Sequence, residues 1–334
     1  MATRKFGTWP LQSCVWAAQY WRRYAAQLAL LSTSLCLSCT EPIQPGPTAR
    51  GETVVSANYG GGPHDLGAVS PDEASPRGPL SFAVSRDERQ VFVLDQENNR
   101  IQVFEGDDVV QAIPLPSPTV VDLGVLDSGN LVLLDPNGQH SLLVIDRQGR
   151  LVSQTPMAGV GVPEPELAAS IRVRSDGVWV GYRGRSTRVL DVHGAADAAR
   201  PTLFGELTRD ERFLISLSAA GTTLGVLKRE RTGLPKNRKV TLSFDQPVIH
   251  VLMSDSDSEG NLYLVTLHIW GTGDAQQAKT LLTVLSPELR EIKHLTLPTQ
   301  DTAYEVFRYG EVGASGVVYY LDVARSEARV QRFL

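Results

Sequence analysis

The segment Gly129-Asn130-Leu131-Val132-Leu133-Leu134-Asp135 returns along the chain at intervals of about 40 to 55 residues, and this spacing restricts the fold more than any motif. Related segments begin at Arg89, Gly177, Gly221, Gly260 and Gly316. Around each lie short runs rich in Val, Leu, Ile, Tyr and Phe, bounded by Gly, Asp, Asn and Pro, with no helical period of any length. Phe82–Ser85, Gln90–Asp95, Arg100–Phe104 and Val109–Ile113 read as four sequential strands within one unit. A four-stranded sheet of this kind cannot cover both its faces alone, so its copies must pack around an axis. The expected fold is all-β: a six-bladed β-propeller of four-stranded blades, with the repeated segment as the second strand of each. The last unit has three strands, and an isolated strand at Thr53–Tyr59 is expected to complete it and close the ring.

The stretch from Phe82 to Phe104, with Asp95, Asn99 and Arg100 near its end, resembles an NHL repeat, the unit of a family of six-bladed propellers. The likeness is weaker in the second unit and faint beyond it. It implies that Asp95, Asn99 and Arg100 orient the turn between the second and third strands, a structural role.

The amino-terminal portion has another character. All three cysteines, Cys14, Cys36 and Cys39, fall in the first 39 residues, so no disulfide or thiolate metal site can form in the rest. Arg22-Arg23 precedes an apolar run from Ala25 to Leu37, too short to span a bilayer but suited to export. Ser38-Cys39, with Leu37 and Leu35 upstream, resembles a bacterial lipobox, which implies a diacylglyceryl group on Cys39 after cleavage. Cys36 departs from that pattern, and cleavage by an ordinary signal peptidase is the alternative. Residues 1–38 are expected to be a signal peptide, 39–52 a lipidated, proline-rich tether and 53–334 the propeller. The resemblance places the protein in a bacterial envelope, and Thr40 rather than Asp suits the outer membrane.

Outside the first 39 residues 28 basic residues face 37 acidic ones, a net charge of −9 that disfavours nucleic acid as a partner. No P-loop, dinucleotide glycine fingerprint, zinc helix or nucleophile elbow is present. Asp255, Asp257 and Glu259 alternate as in a calcium loop, but Thr266 stands where the bidentate Glu belongs, so no cofactor is expected and calcium is the minor alternative. Second-to-third strand turns and interblade connections share one face of a propeller. Arg183 and Arg185 of unit 3 and the segment Lys228–Lys239 of unit 4, with Arg229, Arg231, Lys236 and Arg238, are expected to gather eight cations there. His268 and Trp270 of unit 5 would lie beside them. The resulting expectation is a non-enzymatic, envelope-anchored propeller that binds a protein or an anionic glycan through loops. The alternatives are a metal-dependent propeller hydrolase or lyase with ligands at the axis, and a structural subunit of an envelope complex.

Overall fold

Alternating apolar runs joined by tight turns pair with their neighbours in sequence, and the chain forms six antiparallel sheets of four strands each. The computed structural model describes residues 43, 46–70, 76–209, 211–231, 237–272, 275–298, 304 and 306–333; residues 1–38, Cys39 and Lys236 lie outside them. Among the described residues no helix is long and apolar enough to cross a membrane.

Strand β1 (Glu52–Asn58) belongs to the last blade. Blade 1 comprises β2 (Ser81–Val84), β3 (Val91–Asp95), β4 (Arg100–Glu105) and β5 (Asp108–Pro114). Blade 2 follows with β6 (Asp122–Val125), β7 (Leu131–Asp135), β8 (Ser141–Ile145) and β9 (Leu151–Pro156). Blade 3 holds β10 (Ala168–Arg174), β11 (Gly177–Tyr182), β12 (Arg185–Leu190) and β13 (Thr202–Phe204). Blade 4 holds β14 (Glu206–Leu207), β15 (Phe213–Ala220), β16 (Thr223–Glu230) and β17 (Asn237–Ser243). Blade 5 holds β18 (Val248–Ser256), β19 (Leu262–Trp270), β20 (Gln277–Leu285) and β21 (Glu291–Leu297). Blade 6 is β22 (Gly310–Val312), β23 (Val318–Val323), β24 (Glu327–Phe333) and, outermost, β1.

The middle strands β3, β7 and β8 are buried throughout, because neighbouring blades cover both of their faces. The outer strands β5 and β9 keep one side in water and are mostly exposed. Ring closure is as expected: β1 pairs antiparallel with β24 from Glu52↔Arg332 to Asn58↔Glu327, and Val55 and Ala57 enter the blade-6 core.

Asp95 ends β3 fully buried. Its carboxylate accepts from Gly67 N at 2.7 Å, Asn98 Nδ2 at 2.9 Å and Arg100 Nε at 2.8 Å, while Asn99 takes a left-handed φ of 54° in the turn. Asp135 does the same work in blade 2, accepting from Ser117, Thr119 and Gly138 N. The Asp that ends the repeated segment is therefore a buried acceptor that ties its turn to the preceding loop.

Blade 4 departs from the sequence reading. There the segment beginning at Gly221 forms the third strand, β16, not the second. The second is β15, which follows a turn in which Thr208 N donates to Phe213 O. Gly221, at φ +57°, makes the short β15–β16 turn between paired Ala220 and Thr223. A glycine followed by Thr222-Thr223-Leu224-Gly225-Val226 copies the repeat pattern, but any hairpin strand that begins after a glycine turn does so.

Among the described residues of the proline-rich segment, Ile43 and those from Gly46 onward lie along the ring. Ile43 N donates to Ser243 O, and its side chain is buried against the core of blades 4 and 5. Ala49 N donates to Thr296 O, and Thr296 N returns a bond to Pro47 O. Gly46 passes so close to β21 that a Cβ would sit 2.0 Å from the His294 carbonyl oxygen, a contact only glycine permits. The segment is a strap across the outer edges of blades 4 and 5 that runs into β1.

Candidate functional site

Hydrogen bonds define two faces. The second-to-third turns bond to the interblade connections: Leu115 N to Asn99 O, Met157 N to His140 O, Gly205 N to Gly184 O, and Val248 N to Gly221 O. This is the upper face. The other turns form the lower face, where Ser315 bonds to Glu88 and Arg231 N to Arg212 O.

The structure separates the predicted cations. Arg183 and Arg185 flank the β11–β12 turn on the upper face. The β16–β17 loop joins third and fourth strands, so Arg231 and Arg238 belong to the lower face. The displaced copy at Gly221 is the reason: moving it one strand along moves the following loop to the other side.

Nor are these charges unmatched. Arg183 meets Glu164 at 2.8 Å on the upper face, and Arg231 meets Asp176 of the neighbouring blade at 3.0 Å on the lower face. Arg238 lies 3.5 Å from Glu288, and Arg229 Nη2 donates to the Phe204 carbonyl. Arg185 is exposed and stacks over the Phe204 ring at 4.8 Å.

His268 is fully buried, with Nε2 2.9 Å from the Thr266 hydroxyl and Nδ1 3.1 Å from Gln246 O, so it packs the core beside Phe244 rather than facing a ligand. Trp270 is half-buried near the tip of the β19–β20 hairpin. In blades 4 and 5 pairing runs past the inner strands, to Ala220↔Thr223 and Trp270↔Gln277, and these hairpins stand above the upper face. Phe204 at the end of β13, Ile249 at the start of β18 and Val160 on the connection between blades 2 and 3 are exposed towards the same face.

Asp255, Asp257 and Glu259 do not form a cradle. Asp257 caps its own turn, accepting from Glu259 N, Asn261 N, Asn261 Nδ2 and the Tyr263 hydroxyl. Glu259 is exposed, and Asp255 points into the ring. Among the described residues no three His, Cys, Asp or Glu side chains gather at metal-ligand distances.

Asp255 leads to a cluster the sequence does not announce. Along the axis, charged residues from the inner strands and from the segments beside them form a continuous series of ion pairs. Asp122 of β6 pairs with Arg308 at 2.7 Å, Arg308 with Glu311 of β22 at 3.6 Å, and Glu311 with Arg209 at 3.8 Å. Arg209 continues to Asp255 of β18 at 3.6 Å, and Asp255 to Arg174 of β10 at 3.5 Å. These bonds join blades 2, 6, 4, 5 and 3. Blade 1 enters through Ser81, whose hydroxyl donates to Asp122 at 2.6 Å, and through Val84 N, which donates to Glu311.

Three arginines face three carboxylates in this lattice. Burial alone would raise the Asp255 carboxyl, but Arg209, Arg174 and Arg172 beside it hold it below the ordinary carboxylate range. Burial raises Glu311, and Arg308 and Arg209 offset only part of that rise. Arg308 reaches from blade 6 across the axis to Asp122 and to Ile171 O at 2.8 Å, so its guanidinium crosses the channel. In sequence these are isolated charges at the ends of apolar runs, one or two per unit, a signal visible only if the inner strands are aligned.

Blade 5 also carries a titrating pair. Burial, followed by the charges of Lys279 and His268, lowers the His294 imidazole to about 4, and burial likewise lowers His268. An unfolded His titrates near 6.5, so the neutral rings stabilise the fold fully above about pH 6.5, and that stability is lost as pH falls toward 4. His294→Gln should flatten the acid limb of a urea-midpoint profile by about 1–3 kcal/mol. An unchanged slope would refute this.

No protein-family model matches the sequence, and no curated protein does. Among solved structures the chain is similar to hydrazine synthase of Kuenenia stuttgartiensis, at 13% identity and a TM-score of 0.51, covering 75% of this chain and 76% of that one. It is also similar to a calcium-binding regucalcin from Agrobacterium tumefaciens at 13% identity, covering 87% of this chain and 95% of that one, with a TM-score of 0.46. A streptogramin B lyase follows at 12% identity, 79% and 96% coverage and a TM-score of 0.41. Identities this low speak to the fold alone, and propellers of this kind serve enzymes and other proteins alike.

Proposed function

We propose that this protein is a non-enzymatic, envelope-anchored lipoprotein whose propeller docks a protein partner on its upper face. The observation that carries the reading is the axial lattice, in which three arginines and three carboxylates neutralise one another across the channel. A site for chemistry at the axis would draw on the charged groups there, and the six of this lattice are already paired in holding the blades together. Recognition then falls to the faces.

The upper face has the composition of a protein interface: exposed Phe204 with Arg185 stacked on it, exposed Ile249 and Val160, and Trp270 on a raised hairpin. Pairing of Arg183 with Glu164 favours a protein over an anionic glycan, because the cationic field expected there is partly neutralised. The lipobox resemblance at Cys39 supports the envelope address.

The test joins two measurements in the native host. Metabolic labelling with a fatty acid should mark the wild type and not Cys39→Ala. A photo-crosslinker at Trp270 should capture one discrete partner, and Phe204→Ser with Ile249→Ser should abolish capture while leaving the fold intact. Equal labelling of both chains would refute the anchor. Unchanged capture by the double variant would refute the face.

A further inference from the structure

Where the strap leaves blade 5 and enters β1, it roofs a groove of about 310 Å³ between the outer strands of blades 5 and 6. Ala49, Arg50 and Glu52 come from the strap and β1, Lys293 and Leu295 from β21, and Arg332 and Phe333 from β24. The groove exists only because the strap is seated, held by the Ala49–Thr296 and Thr296–Pro47 bonds and by the close pass of Gly46 over His294. Its lining divides by chemistry. Leu295, Phe333 and Ala49 make an apolar floor, with Phe333 continuing into the core between blades 5 and 6. Arg50, Lys293 and Arg332 make a cationic rim with one carboxylate among them, Glu52, which bonds Arg332 at 2.7 Å.

The rim therefore carries a formal charge of +2 on a body whose net charge is −9 outside the first 39 residues. Cations concentrated over an apolar floor on an acidic protein match one ligand chemistry: an anionic head on a greasy stem. An inorganic anion would use the rim and waste the floor, and a neutral apolar molecule would do the reverse. We propose that this groove binds the phosphate of an anionic glycerophospholipid, with Arg50 and Lys293 on the phosphate and the first acyl carbons against Leu295 and Ala49. The site is separate from the upper face, on the flank of the ring, so either can fail without the other.

The test titrates the full-length protein with monomeric dihexanoylphosphatidylglycerol below its micelle concentration, followed by calorimetry and by amide shifts in β21 and β24. A membrane is left out, so an acyl anchor does not contribute to the signal. Saturable binding is expected, weakened about tenfold or more by Arg50→Glu with Lys293→Glu, both on the rim, and unaffected by Arg238→Glu on the lower face. Added salt should weaken it as well. Glycerol phosphate and inorganic phosphate should bind far more weakly, and dihexanoylphosphatidylcholine, whose choline cancels the phosphate charge, should also lose affinity. Equal binding of inorganic phosphate would overturn the proposal in favour of a simple anion site. Equal binding of the choline lipid, or unchanged affinity in the double rim variant, would overturn it outright. Gly46→Val, which unseats the strap, should abolish binding while circular dichroism still reports a β-propeller.

Discussion

Arg308→Ala should cost about 3–5 kcal/mol of folding stability, the range for removing one partner of a buried ion pair. Arg308 is 8% exposed, and its guanidinium meets Asp122 at 2.7 Å and Ile171 O at 2.8 Å. Without it, Asp122 keeps Ser81 and Ile171 N as donors but loses the positive charge that balances its own inside the ring. The same variant severs the ion-pair series between blades 2 and 6, so amide exchange in β6 and β22 should become faster, with reduced protection in hydrogen-exchange experiments. Arg308→Met combined with Asp122→Asn should recover much of the loss, because an isosteric neutral pair escapes the desolvation penalty that a lone carboxylate pays. Urea unfolding of both single variants and the double variant tests this. A loss below about 1 kcal/mol for Arg308→Ala would show that water already solvates the axis and that the lattice is a surface feature.

Removal of residues 1–58 should be the more damaging change. It takes away β1 and leaves the whole of β24 as an open edge, with Val330 and Ala328 uncovered. Burial of Val55 and Ala57 together with the strand's backbone pairing is worth on the order of 5 kcal/mol, comparable to the total stability of many domains. The shortened protein should aggregate through that edge, as seen by size-exclusion chromatography. A synthetic peptide spanning residues 51–59 should restore a soluble monomer by taking the vacant place. A shortened chain that stays monomeric and melts like the intact one would show that the ring is closed by blade contacts alone.

Much of the architecture can be read from the chain because it rests on local rules. Strands such as Val91–Asp95 and Leu131–Asp135 announce themselves by continuous apolar runs ended by an Asp, and their sheets form between sequence neighbours. The three-stranded last unit and the isolated amino-terminal strand likewise announce each other. The error lies in blade 4, where the inner strand is two residues long and leaves almost no pattern, so the hairpin turn at Gly221 takes the place of the missing signal. One misplaced strand carries Arg231 and Arg238 to the opposite face.

The candidate sites were less legible for a related reason. Arg183 and Arg185 read as free cations, yet Glu164, from the connection before blade 3, and Phe204, at the end of its outer strand, engage them. His268 reads as a loop histidine, but the unusual length of β19 draws it into the core. Arg50 reads as part of a spacer, and it becomes a groove residue only because the strap is seated on β21.

Six units of four strands are legible in the sequence because apolar alternation and turn chemistry act between residues a few positions apart, and the spare amino-terminal strand beside a three-stranded last unit marks how the ring closes. Only the tertiary structure decided which face each loop occupies in blade 4, that the strap roofs a cationic groove, and that Asp122, Arg308, Glu311, Arg209, Asp255 and Arg174 meet at the axis. Those residues stand up to 186 positions apart for a single bonded pair, and no local pattern relates them. They come together when the ring closes, and burial then makes each charge depend on its partner.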